Sequence, residues 1–152
     1  MAQAAPLYLE DLAVGQTFRS GTVTVDPVRL KSFAAEFDPQ PFHLDEQAAA
    51  ASPFGGLVAS GWHTAALTMR LLVEGDLKVA GGLVGAGVEE IRWPRPVRPG
   101  DTLRVESEVL EVRPSGSRPD RGVVRVRSTT LNQAGQPVMV QVASLIVPRR
   151  PA

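Results

Sequence analysis

The sequence predicts an α+β fold in which an antiparallel β-sheet wraps around one central helix. Three observations predict it. Residues 60–73 form the longest helix candidate and are apolar on nearly every side, which marks a buried helix. Four strand-like segments follow it, at 83–93, 102–112, 123–131 and 138–147, separated mainly by turn residues. One further strand candidate precedes it at 16–25. Sequential strands on short connections favour antiparallel pairing, and a sheet around one helix is the economical layer arrangement.

The elements follow in order. Residues 1–15 read as an irregular N-terminal arm, closed by the turn Val14-Gly15-Gln16. Phe18, Thr22, Val23, Thr24 and Val25 give 16–25 its strand character. Asp26-Pro27 is a helix start, with Asp26 as cap and Pro27 at the first helical position. Val28, Leu30, Phe33, Ala34 and Phe37 mostly recur at helical spacing up to the break at Asp38-Pro39. Residues 37–45 read as a stiff, non-helical loop, because Pro39 and Pro41 push Asp38 and Gln40 out of helical geometry. Asp45 can cap a short helix over 46–51. A loop with Gly55-Gly56 leads to Ser60, which suits the N-cap of the central helix. After that helix, 94–101 is a proline-rich connection, and Asn132-Gln133-Ala134-Gly135-Gln136 is a hairpin turn. Residues 138–147 are almost all apolar, which predicts a central strand covered on both faces.

Composition narrows the function. A chain of 152 residues fits one domain, 1–152. Sixteen basic and sixteen acidic side chains leave no net charge, so nucleic-acid binding has no electrostatic footprint. There is no cysteine, hence no disulfide, thiolate nucleophile or thiolate metal site, and two histidines are too few for a zinc site unaided. The N-terminus lacks a basic flank and apolar core, and no apolar run is long enough to cross a bilayer. A soluble cytoplasmic protein without membrane partner is the expectation.

The chemistry-bearing stretch is Phe37-Asp38-Pro39-Gln40-Pro41-Phe42-His43-Leu44-Asp45. It places a carboxylate and an imidazole five positions apart on a stiff segment, a pairing suited to moving protons near neutral pH. Read alone, Asp38 could equally end the preceding helix, and His43 could be an ordinary half-buried histidine.

This stretch, with Phe54-Gly55-Gly56-Leu57-Val58-Ala59-Ser60-Gly61, resembles the MaoC-like dehydratase family of hotdog-fold proteins, which includes (R)-specific enoyl-CoA hydratases. The family signature is roughly Asp-x-Asn-Pro-x-His, then a glycine opening the hotdog helix. Asp38, Pro41, His43 and Gly61 match it, while Gln40 stands where hydratases usually carry Asn and Phe37 where many carry Gly. The run from Pro96 to Leu103 is also of a kind these proteins often carry. The resemblance implies a hydratase/dehydratase interconverting a 2-enoyl-CoA and an (R)-3-hydroxyacyl-CoA. Asp38 and His43 would hold the water, and the Gly61 backbone N–H at the helix start would receive the thioester oxygen. The other reading of Gly61 is packing alone. Expected substrate-binding residues are Gln40, Phe42, Phe54, Ser60 and Trp62. For Ser60 a plain helix cap is the rival reading, and for His63 a core or interface role is favoured. Arg92, Arg95 and Arg98 could meet CoA phosphates or face solvent. No metal or cofactor is expected, with CoA entering only as part of the substrate, and a homodimer or higher homo-oligomer is implied. Two rivals remain: a hotdog acyl-CoA thioesterase, and a non-catalytic acyl-CoA-binding or partner subunit.

Overall fold

The structure is a computed structural model that describes residues 5–152; the first part of the expected arm, 1–4, lies outside the described residues. A single turn of 3-10 helix, Leu9–Asp11, comes first. Then follow β1 (Thr17–Thr24), α1 (Pro27–Phe37), α2 (Pro41–Leu44), α3 (Glu46–Ala50) and α4 (Gly61–Glu74). The strands β2 (Val84–Arg92), β3 (Thr102–Pro114), β4 (Arg121–Leu131) and β5 (Pro137–Pro148) complete the chain. All five strands join one sheet in the order β1-β3-β4-β5-β2, and every neighbouring pair is antiparallel.

The strands β3, β4 and β5 are the expected meander, but β2 does not pair with β3, its successor in the chain. It pairs with β5 instead, with Val88 opposite Ala143. Residues 93–101, with Pro94, Pro96 and Pro99, form an irregular connection of bends and a turn in place of a tight hairpin. That connection crosses the molecule beside the entry to α4, where Ala59 N–H donates to Val97 O at 2.8 Å.

The helix α4 lies on the sheet, as its composition predicts. Its buried face is Thr64, Thr68, Leu71 and Leu72, residues spaced as one side of a helix. Thr68 Oγ1 sits 2.6 Å from Thr130 Oγ1 on β4, fixing the helix over the middle of the sheet. Leu30 of α1, Leu57, Val97, Leu103, Val105 and Val138 close this core, and Leu9, Leu12, Leu77, Val109, Val124 and Val147 form a second.

Three expectations need correction. The helix α4 is not covered all round: Trp62, Met69 and Val73 are 58%, 44% and 49% exposed, because a single chain supplies a sheet on one side of the helix only. The strand β5 is internal, yet Ala143 to Ile146 are only half-buried. Gly85 and Gly87 of β2 stand opposite Leu145 and Ser144 and offer no side chain to cover them. Residues 37–45 are not wholly non-helical, because Pro41 opens the short helix α2 that carries His43. The same proline that holds Gln40 extended is well suited to a first helical position.

Candidate active site

The site is built where α1 ends and α4 begins. The helix α1 starts as expected, with Asp26 accepting from Val28 N–H at 2.8 Å, and its last turn closes with Asp38 N–H donating to Ala34 O at 2.8 Å. Asp38 then leaves helical geometry (φ −152°, ψ 67°), which turns its carboxylate towards Ser60. Gln40 is extended, and one turn of α2 presents His43 beside Asp38, Nε2 to Oδ2 at 3.3 Å.

Both side chains are held from behind. His43 is buried, and its Nδ1 lies 2.7 Å from Val58 O. A carbonyl only accepts, so Nδ1 carries the ring proton and Nε2 is the nitrogen left to face Asp38. Asp38 Oδ1 accepts from Gln40 Nε2 at 2.6 Å, and Oδ2 accepts from Ser60 Oγ at 2.7 Å. Burial pushes the Asp38 carboxyl up, but the Ser60 and Gln40 donors and the neighbouring His43 more than offset this. The carboxyl is therefore held below its ordinary range and is ionised at neutral pH.

Ser60 does two things at once. Its hydroxyl accepts from Trp62 N–H at 3.2 Å, capping α4, and donates to Asp38. It is fully buried behind the carboxylate and is not among the residues lining the cleft in front of it. That cleft encloses about 510 Å³. Asp38, Gln40, Phe42, His43, Phe54, Gly61 and Trp62 all line it, so the structure brings together every site residue expected from the sequence except Ser60, which stands one layer behind. Phe42 and Phe54 pack at 5.2 Å between ring centroids. Among the described residues, the Gly61 N–H has no hydrogen-bond acceptor. As the first residue of α4, Gly61 has no preceding helical carbonyl to bond.

The three arginines separate. Arg92 pairs with Glu90, and Arg98 donates to Phe54 O at 2.7 Å. Arg95 lines the cleft. His63 lies elsewhere, buried and stacked on Phe33 at 4.8 Å, as a core histidine would be. Sequence reasoning missed two participants. The Val58 carbonyl is backbone and carries no signal in residue type. Trp93 lines the cleft and donates its indole N–H to Gly61 O at 3.0 Å, and it sits just past a strand end with no motif to mark it. Among the described residues, no three His, Cys, Asp or Glu side chains cluster as a metal site would require.

Fold and corner together define a class: an antiparallel sheet curled on one helix, with Asp38 and His43 side by side at that helix's N-terminus. The sequence model of the MaoC like domain matches residues 11–132. The chain is 58% identical to the MaoC-like dehydratase from Rhodospirillum rubrum, with a TM-score of 0.93 over 96% of this chain and 99% of that one. It is 35% identical over 140 residues to 3-hydroxyacyl-thioester dehydratase Z of Mycobacterium tuberculosis, covering 88% of this chain and 86% of that protein. It is also similar to the unliganded R-hydratase PhaJ1 from Pseudomonas aeruginosa, at 32% identity and a TM-score of 0.74, covering 95% and 88% of the two chains. The chain belongs to the MaoC-like domain family of hotdog hydratases and dehydratases, which are hydro-lyases.

Proposed function

We propose that this chain adds water across the Cα=Cβ bond of a 2-enoyl-CoA to give an (R)-3-hydroxyacyl-CoA, and catalyses the reverse dehydration. The observation that carries the reading is the 3.3 Å approach of His43 Nε2 to Asp38 Oδ2 in a cleft that also holds Gly61. The (R) configuration follows the R-hydratase named among the similar proteins.

A water bound by the pair can donate one hydrogen bond to His43 Nε2 and the other to the Asp38 carboxylate. Asp38 is stabilised as a carboxylate, so it holds and orients the water better than it carries a proton. His43 Nε2 takes the proton as the water oxygen bonds to Cβ, and Asp38 stabilises the imidazolium. Electrons of the double bond move towards Cα and the thioester oxygen, which becomes an enolate oxygen. The N–H of Gly61, aided by the positive end of α4, receives that charge. The imidazolium then returns the proton to Cα. One water is consumed and nothing is oxidised or reduced, so no redox cofactor enters. Phe42, Phe54 and Trp62 wall the acyl side of the cleft, and Gln40 keeps Asp38 in place.

We also propose that the working form is a homodimer. Support comes from the uncovered face of α4 and from β2, an edge strand with Val84 and Val88 exposed, since bare edges and apolar faces seek a partner.

The test is the ultraviolet absorbance of crotonyl-CoA with the purified protein, beside Asp38→Asn, with a thiol probe in parallel. Loss of enoyl absorbance without thiol release, abolished by the substitution, supports hydration. Thiol release sinks it in favour of a thioesterase. Binding of enoyl thioesters, branched and long ones included, with neither change favours a non-catalytic subunit.

A further inference from the structure

The first turn of α4 is gripped from outside the helix. Trp93, the residue after β2, lays its indole across Gly61. Its N–H reaches Gly61 O at 3.0 Å, and its ring meets Trp62 edge-on at 5.3 Å. The fit is close enough that a side chain on Gly61 would have to displace the indole. A Cβ built on Gly61 would stand 2.7 Å from Trp93 Cε2 and 2.9 Å from Nε1. Two further bonds tie the same connection to the loop before α4: Ala59 N–H to Val97 O at 2.8 Å and Arg98 Nη2 to Phe54 O at 2.7 Å. Trp93 and Gly61 both line the cleft with Asp38 and His43.

We propose that Trp93 is a positioning residue for hydration: its indole clamps Gly61 so that the N–H at the start of α4 is held on the thioester oxygen, and Gly61 is glycine in order to admit that ring. The proposal rests on the hydration reading above. It gives a physical account of the glycine that combines both readings of it, since the packing is what aims the donor. A helix whose first turn drifts can still bind a thioester through the aromatic walls. It loses the oxygen contact that strengthens as negative charge builds in the transition state.

The experiment is a double-mutant cycle of Gly61→Ala, Trp93→Leu and the pair. It is read by crotonyl-CoA hydration, by butyryl-CoA binding and by thermal melting. A donor misplaced by about 1 Å can cost on the order of 10²-fold in rate. Each single substitution is therefore expected to lower kcat about 10- to 100-fold, with KM and butyryl-CoA affinity within about threefold. Because Gly61→Ala acts by displacing the indole, the pair should be no slower than the worse single variant. Unchanged kcat in Trp93→Leu, or losses that multiply in the pair, would overturn the proposal. A rise in KM without a fall in kcat would do the same, since it would make Trp93 a plain wall. If the wild-type protein hydrates no enoyl thioester, the hydration reading has failed, and the melting cycle still decides the clamp: additive losses reject it, coupled losses uphold it.

Discussion

The two histidines of this chain are about equally buried, at 5% and 7% exposure for His43 and His63, and each packs on a phenylalanine, yet the polar groups around them differ. His43 has a carbonyl on one ring nitrogen and a carboxylate facing the other. His63 lies nearly parallel to Phe33, at 11°, and its Nδ1 has no hydrogen-bond partner among the described residues. Burial alone lowers the His63 pKa, so the ring is neutral at pH 7. Burial does not make a histidine useful for proton transfer. Fixing one nitrogen so that the other is aimed does.

The comparison can be broken or sharpened experimentally. The largest effect belongs to Asp38→Asn, which keeps the shape and removes the charge. Kcat should fall by about 10²- to 10⁴-fold, the usual worth of a positioned acid–base group. His43→Gln should fall within the same range while butyryl-CoA still binds. If either variant keeps near wild-type turnover in the enoyl-absorbance assay, the pair is not the catalyst. Next comes Ser60→Ala, which removes the α4 cap and a donor to Asp38. Melting should show a loss of about 1 kcal/mol from the cap, with a smaller kcat deficit than Asp38→Asn.

The smallest effects lie in pH dependence, where the two regions part company. The folded pKa of His63 is depressed, so the unfolded chain binds the extra proton first as pH falls. Its contribution is intact above about pH 6.5, the unfolded value, and is lost as pH drops from there towards the folded pKa. His63→Leu should flatten that slope in melting-temperature profiles and leave hydration at pH 7 unchanged. The folded pKa of Asp38 is also depressed, but for a carboxylate this places its contribution above about pH 3.9. It disappears as pH falls through the folded value. Asp38→Asn should therefore alter the acid limb of the stability profile, read by melting temperature against pH.

Much of this corner was legible in the sequence. Asp26-Pro27, Asp45 and Ser60 announced their caps, because capping chemistry is local. The proximity of Asp38 to His43 was readable because prolines restrict the few residues between them. What escaped was non-local. The turn of α2 depended on Pro41 serving the residues after it and not only the one before. The uncovered face of α4 and the pairing of β2 with β5 depend on where a long connection crosses the molecule. Trp93 could not be placed at Gly61 because 32 positions separate them.

Asp38 is both the C-cap of α1 and the acceptor for the N-cap side chain of α4. Active-site residues are commonly traded away when a protein is selected for stability, because function tends to leave them strained. Here the fold favours the ionised carboxylate, so under the proposed hydration the interests of rate and robustness coincide. A randomised library sorted for folding alone, with no activity screen, should still be enriched in aspartate at position 38. The same library should discard histidine at 63 in favour of a hydrocarbon.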